Sequence, residues 1–274
     1  MDFRDNAELD TSQVEDRGSG GGGGFRGGPI AIGGGITGII ALIATLLLTN
    51  MGGGDEGGAQ DPGGSLSQQC QSGKDAEQSE KCRVVGVVNS IQDYWRQTLP
   101  DYRTARTVLY SGGVSTACGA ASSAVGPFYC PADQRVYLDL SFFDELQSRF
   151  DAKGGPFSQA YVIAHEYGHH VQNLNGALRE GSSVKTELQA DCYAGAWAKN
   201  AVDTGFYEKA FTEAEIAEAL DAAAAVGDDR IQSRTQGRVD PESFTHGSSE
   251  QRVAAFRQGH TAGDPGKCEP SDLG

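Results

Sequence analysis

The stretch Tyr161-Val-Ile-Ala-His-Glu-Tyr-Gly-His-His170 decides how this chain is read. Within it His165, Glu166 and His169 form an H-E-x-x-H pattern. On a helix, residues four apart lie one turn from each other on the same face, so both imidazoles project together. Two neutral imidazoles on one face can bind a single Zn²⁺, and Glu166 beside them is placed to take a proton from a metal-activated water. A pattern this short also arises by chance, so other parts of the chain must supply the rest of a site.

Glu187-Leu-Gln-Ala-Asp191 supplies two carboxylates inside a segment, Ser183 to Asn200, that reads as a helix. Glu187 and Asp191 are again one turn apart. That spacing fits Glu187 as a third metal ligand and Asp191 as the acceptor that fixes a ligating histidine's tautomer. A solvated acidic face is the alternative, but Leu188, Ala190, Cys192, Tyr193, Ala194, Ala196 and Trp197 leave little polar surface there. Carboxylates in such surroundings need partners. Further on, Phe244-Thr-His-Gly-Ser-Ser-Glu-Gln-Arg252 puts His246 in a loop, where it can donate to a developing oxyanion, with Arg252 able to orient it or the substrate and grouped with Asp191 as a residue supporting the ligands from behind. A plain surface-loop histidine is the competing reading. His170 and His260 read as non-ligands.

The elements around these motifs give an α+β domain that is mainly helical. Val84, Val88, Ile91 and Trp95 recur at helical spacing over Arg83–Leu99, which Pro100 ends. Thr107–Tyr110 reads as a short strand, and Ser122–Tyr129 with Arg135–Asp139 as a hairpin about Cys130-Pro-Ala-Asp133. Pro127 suits an edge strand, so Ala124, Val125, Gly126 and Phe128 form a candidate edge to which a peptide could add as an extra strand. A purely structural hairpin is the alternative. Ser141, Ser158 and Thr212 are candidate helix caps, the last with Glu215 in a capping box.

The formal charge of −15 argues against nucleic acid as a partner. Glycine clusters before Gly64, so residues 1–28 read as a disordered glycine-rich tail and residues 51–69 as a flexible linker. Between them the uncharged run Pro29–Thr49, at about 1.5 Å per residue, reaches about 30 Å. A long preceding tail disfavours a cleaved signal peptide, and the glycine-rich flanks disfavour a core helix. A transmembrane helix over 29–50 is therefore expected. Arg4, Arg17 and Arg26 precede it and the next basic residue is Lys74, which predicts a cytoplasmic N-terminus and residues 70–274 outside the membrane. All six cysteines lie beyond that segment, as disulfides in an extracytoplasmic domain would. The short loops favour Cys70–Cys82 and Cys118–Cys130, leaving Cys192–Cys268.

With these motifs assembled, the chain resembles the putative neutral zinc metallopeptidase family, including Val125-Gly-Pro-Phe-Tyr-Cys-Pro131. The site is similar to that of small gluzincin peptidases: H-E-x-x-H, then E-x-x-x-D, then S/T-H-P followed by an arginine. Gly247 stands where those proteins usually carry proline. The resemblance implies a zincin or minigluzincin-like domain with a small edge sheet, one Zn²⁺ per chain held by His165, His169 and Glu187, and Glu166 as base. The expected function is a membrane-anchored zinc metallopeptidase acting on a peptide or protein. Its rivals are a non-catalytic zinc-stabilised envelope binding module and a zinc amidase acting on cell-wall peptides. Nothing in the sequence sets an oligomeric state.

Overall fold

A computed structural model describes residues 1–18, 65–150, 152–180 and 183–273. In chain order the described elements are strand β1 (Val14–Asp16), helices α1 (Leu66–Gln69), α2 (Gly73–Gln78) and α3 (Glu80–Thr98), strands β2 (Arg106–Tyr110), β3 (Gly113–Thr116), β4 (Gly119–Ser122), β5 (Phe128–Cys130) and β6 (Arg135–Asp139), and helices α4 (Ser141–Phe150), α5 (Pro156–Asn175), α6 (Val184–Asn200), α7 (Glu213–Ala225), α8 (Asp228–Gln236) and α9 (Ser249–Ala262). The fold is mostly helical with two small sheets, one in the order β1-β2-β6-β5 and the other a β3-β4 pair. β1, β2 and β6 run parallel, and β5 returns antiparallel to β6, with Phe128 opposite Tyr137.

Local chemistry sets the two central helices. Gly155 has φ 119° ahead of Pro156, whose fixed φ suits a first helical position, so α5 starts there and Ser158 lies inside it. Gly176, at φ 80°, takes the left-handed conformation that ends α5. The Ser183 side chain accepts from Thr186 N to start α6, and the Thr212–Glu215 capping box starts α7 as expected. Ser141 is the first residue of α4, not its cap: its N–H and hydroxyl both donate to Asp139 Oδ1, at 3.0 and 2.8 Å. Both central helices are buried along most of their length, so polar groups on them meet other protein groups and not solvent.

The edge strand is shorter than expected. Ser123–Val125 forms a turn of 3-10 helix and Gly126 has φ 73°, which removes Ala124, Val125 and Gly126 from the strand. The physical cause is the closing bond from Gly126 N to Ser123 O, 3.1 Å, which folds the backbone back on itself ahead of Pro127. Only Phe128 of the four proposed residues belongs to β5.

The N-terminal residues overturn the expected division of the chain. Residues 1–17 are not a disordered tail but pack on the domain: Phe3 and Leu9 are buried, and Phe3 lies against Tyr207 with ring centroids 4.7 Å apart. Asn89 clasps Asp10 through two bonds, Asp10 N to Oδ1 at 2.8 Å and Nδ2 to Asp10 O at 3.0 Å. β1 then pairs along β2, Val14 opposite Thr107 and Asp16 opposite Leu109. A single crossing at 29–50 would put residues 1–17 and the domain on opposite sides of a membrane, where they could not pair. The segment 29–50 lies outside the described residues, and among those described no helix is long and apolar enough to cross a membrane. Gly18 and Ser65 line one cavity, so the chain leaves and rejoins the domain at one place. The single-pass anchor, with a cytoplasmic N-terminus and an extracytoplasmic domain, is thereby overturned. The linker also ends earlier than expected, since α1 begins at Leu66, which is buried.

The cysteines pair as their loop lengths suggest: Cys70–Cys82, Cys118–Cys130 and Cys192–Cys268. The last spans 76 residues and fastens the C-terminal segment to α6.

Candidate metal centre

His165 and His169 project from adjacent turns of α5, and both are fully buried. They meet α6 because Gly168 has no side chain: a Cβ there would lie 3.0 Å from Ala190 Cα and 3.1 Å from Ala190 O. This close approach brings Glu187 Oε2 to 3.2 Å from His165 Nε2 and 3.4 Å from His169 Nε2. Donors held by one metal at tetrahedral angles, with metal–nitrogen bonds of about 2.0–2.1 Å, sit about 3.3 Å apart. His169 Nε2 is buried and makes no hydrogen bond, an arrangement that is costly unless the atom has another partner. The residues present therefore fit a metal, and among the described residues His165, His169 and Glu187 are the one His, Cys, Asp and Glu group so arranged. Burial raises the Glu187 carboxyl pKa, but the facing His169 and His165 imidazoles hold it well below the usual range.

Behind His165 the support is ionic. Its Nδ1 donates to Asp191 Oδ1 at 2.8 Å, which leaves the Nε2 lone pair for the centre. Tyr161, one turn earlier on α5, donates to the same oxygen at 2.6 Å. Arg252 holds both carboxylate oxygens, Nε to Oδ2 at 2.8 Å and Nη2 to Oδ1 at 2.9 Å. Burial pushes Asp191 up, yet the Arg252 guanidinium and His165 bring it down to about 2. Arg252 is fully buried behind Asp191, in keeping with the expectation that it supports the ligands from behind. Its length and fork geometry are used on Asp191.

His246 is 4% exposed and is not a surface-loop histidine. Asp228, at the start of α8, organises its turn by accepting from the backbone N–H groups of Thr245, His246 and Gly247, at 2.7, 2.7 and 3.1 Å. His246 Nδ1 also lies 3.2 Å from Asp228 Oδ1. Burial lowers the His246 pKa, but the Asp228 hydrogen bond and the charges of Glu187 and Asp228 carry it above its ordinary value. Gly247 has φ 92° and donates its N–H to Asp228. Proline could satisfy neither demand, so glycine at this position belongs to a turn of different construction.

Glu166 is buried next to His165 on α5. His170 is committed elsewhere, with Nε2 2.6 Å from Arg103 O and Nδ1 3.0 Å from Tyr129 Oη. Burial pushes its pKa down to about 4. His260 stacks on Phe256, and like His170 lies outside the group of candidate ligands. Sequence reading missed Tyr161, Gln172 and Asp228. The first two stand four before His165 and three after His169, so helical spacing could have found them. Asp228 carries no such local signal.

The family model described as putative neutral zinc metallopeptidase matches residues 1–270, including both the folded N-terminal residues and the whole centre. The chain belongs to that family. Relatives include the uncharacterized protein Rv2575 of Mycobacterium tuberculosis, 48% identical over 248 residues, covering 78% of this chain and 85% of that protein. The uncharacterized protein YpfJ of Escherichia coli K12 is 39% identical over 279 residues, covering 94% of this chain and 95% of that protein. No solved structure gives a significant match.

Proposed function

We propose that this member of the zinc metallopeptidase family hydrolyses peptide bonds at a single zinc ion held by His165, His169 and Glu187. The observation that carries this reading is the trio of donor atoms, with Glu187 Oε2 at 3.2 and 3.4 Å from two imidazole Nε2 atoms, and Glu166 follows His165 on the same helix. When bound, zinc in such a site polarises a carbonyl and lowers the pKa of water to about 7. Glu166 takes a proton from the attacking water and delivers it to the leaving amine. His246, held in place by Asp228, donates a hydrogen bond to the oxyanion as it develops. Asp191 and Gln172 hold the two ligating imidazoles with Nε2 forward. Among the described residues β5 has β6 as its strand partner, and Phe128, Tyr129 and Cys130 are fully buried, so the expected edge is not open to a peptide here.

The test is zinc content and hydrolysis of a peptide library by wild type, Glu166→Gln and His165→Ala. Glu166→Gln is expected to keep zinc and lose at least about 10²-fold in turnover, while His165→Ala loses both. Turnover that survives Glu166→Gln would remove the assigned base. Stoichiometric zinc without cleavage of any peptide would favour the binding-module reading.

A further inference from the structure

The two ligating histidines are held from behind by different chemistry. A carboxylate can only accept, so Asp191 forces a proton onto His165 Nδ1. His169 Nδ1 instead faces the side chain of Gln172, with Oε1 at 2.8 Å. An amide has two faces. Its oxygen toward His169 demands a proton on Nδ1 and leaves Nε2 free for metal; its NH₂ would demand the opposite tautomer, with a proton on Nε2 where the metal must bind.

What decides the face lies further back. Gln172 Nε2 donates to Thr186 O at 2.7 Å and to Gln189 Oε1 at 3.0 Å. Gln189 Nε2 in turn donates to Cys268 O at 2.8 Å. Both glutamines are buried, Gln172 completely and Gln189 to 7% exposure. The row ends on two backbone carbonyls, which have no proton to give. Cys268 O therefore fixes which face Gln189 turns to Gln172. That face and Thr186 O fix Gln172, and Gln172 fixes the His169 tautomer. Cys268 is held in place by its disulfide to Cys192 on α6.

We infer that Gln172 and Gln189 are positioning residues for His169, and that the Cys192–Cys268 disulfide, by seating the Cys268 carbonyl on Gln189, shares with the Thr186 carbonyl the setting of that ligand's tautomer and with it the site's affinity for zinc. This rests on the metal-ligand part of the proposed function and not on the hydrolytic part. It makes metal affinity sensitive to a bond remote from every ligand, so the site would loosen when that bond is reduced. The other two disulfides, Cys70–Cys82 and Cys118–Cys130, have no part in this row and serve as controls.

The experiment measures zinc affinity of the full chain by chelator competition, alongside ¹⁵N shifts of the His169 ring in the metal-free protein. Gln172→Leu is expected to weaken zinc by about 10–100-fold, the range for losing a partner behind a ligand. Gln189→Leu, which leaves every disulfide intact, should weaken it by about tenfold and populate the Nε2-protonated tautomer. Cys192→Ala/Cys268→Ala should do the same, and removing that disulfide in the Gln189→Leu background should add no more than about twofold, since the row is already cut. Cys118→Ala/Cys130→Ala should leave both readouts unchanged. If wild type binds zinc through His169 but Gln189→Leu changes affinity less than twofold and the ring shifts not at all, the inference is wrong. If wild type binds no zinc, or His169→Ala binds it as well as wild type, the ligand assignment itself has failed. Should the cysteine pair not fold, the Gln189→Leu arm decides alone.

Discussion

The two halves of the centre perform one task with different materials. His165 is backed by an ionic cluster, Asp191 clamped by Arg252 and Tyr161 with no exposure to solvent. His169 is backed by neutral amides that end on backbone carbonyls. A buried ion pair is held together by the cost of separating it, because a lone charge in the interior is far worse than a pair. A row of amides carries no charge but has a direction, and that direction must be set somewhere. One half is thus robust to orientation and vulnerable to charge; the other is the reverse.

Breaking the ionic half should have the largest effect on stability. Arg252→Met leaves Asp191 buried and unpaired and is expected to cost about 3–5 kcal/mol in denaturant unfolding of the metal-free protein. A loss below about 1 kcal/mol would show that the pair is not the cluster's mainstay. The acid response comes next. Asp191 falls to about 2 in the folded protein, below its unfolded value of about 3.9. A carboxyl depressed on folding contributes stability that is present above the unfolded pKa and lost as pH falls toward the folded one. Unfolding titrations should show a loss of about 2–3 kcal/mol between about pH 5 and pH 1. Gln172→Leu should leave that acid limb in place, since the amide half does not titrate.

Gly168→Ala probes the seam between the halves. Its Cβ would press on Ala190 backbone atoms at 3.0–3.1 Å, so a cost of about 1–3 kcal/mol in stability is expected, with weaker zinc binding as α5 and α6 part. Unchanged affinity in a destabilised protein would mean that the ligands adjust independently of helix spacing. The smallest effect is reserved for the amide half: Gln172→Leu should cost about 1–2 kcal/mol, through buried groups left without partners. Its larger consequence is in zinc affinity, the opposite ranking to Arg252→Met.

Much of the site was legible along the chain. His165 with His169 and Glu187 with Asp191 each repeat at four residues, and helical geometry converts that spacing directly into a shared face. The cap at Thr212, the stop at Gly176 and the pairing of cysteines across short loops are local in the same sense. What misled was also local. Residues 1–17 look like a polar tail because Phe3, Leu9 and Val14 follow no helical or alternating period. Each fills its own niche in a distant part of the domain. Which carboxylate Arg252 supports was not legible, because its position on α9 does not reveal that it reaches across 61 residues to Asp191.

The amino-acid sequence by itself determined the helices that carry the ligands, the register of those ligands and the two short-loop cysteine pairs, since all follow from spacing within one or two turns or loops. The tertiary structure alone decided what stands behind each ligand: Arg252 on Asp191, Asp228 beneath His246, and Cys268 at the end of the glutamine row. It alone placed residues 1–17 on the same body as the centre. Those contacts join segments with no common period, and only burial, which forces each polar group to find a partner wherever the fold provides one, selects them.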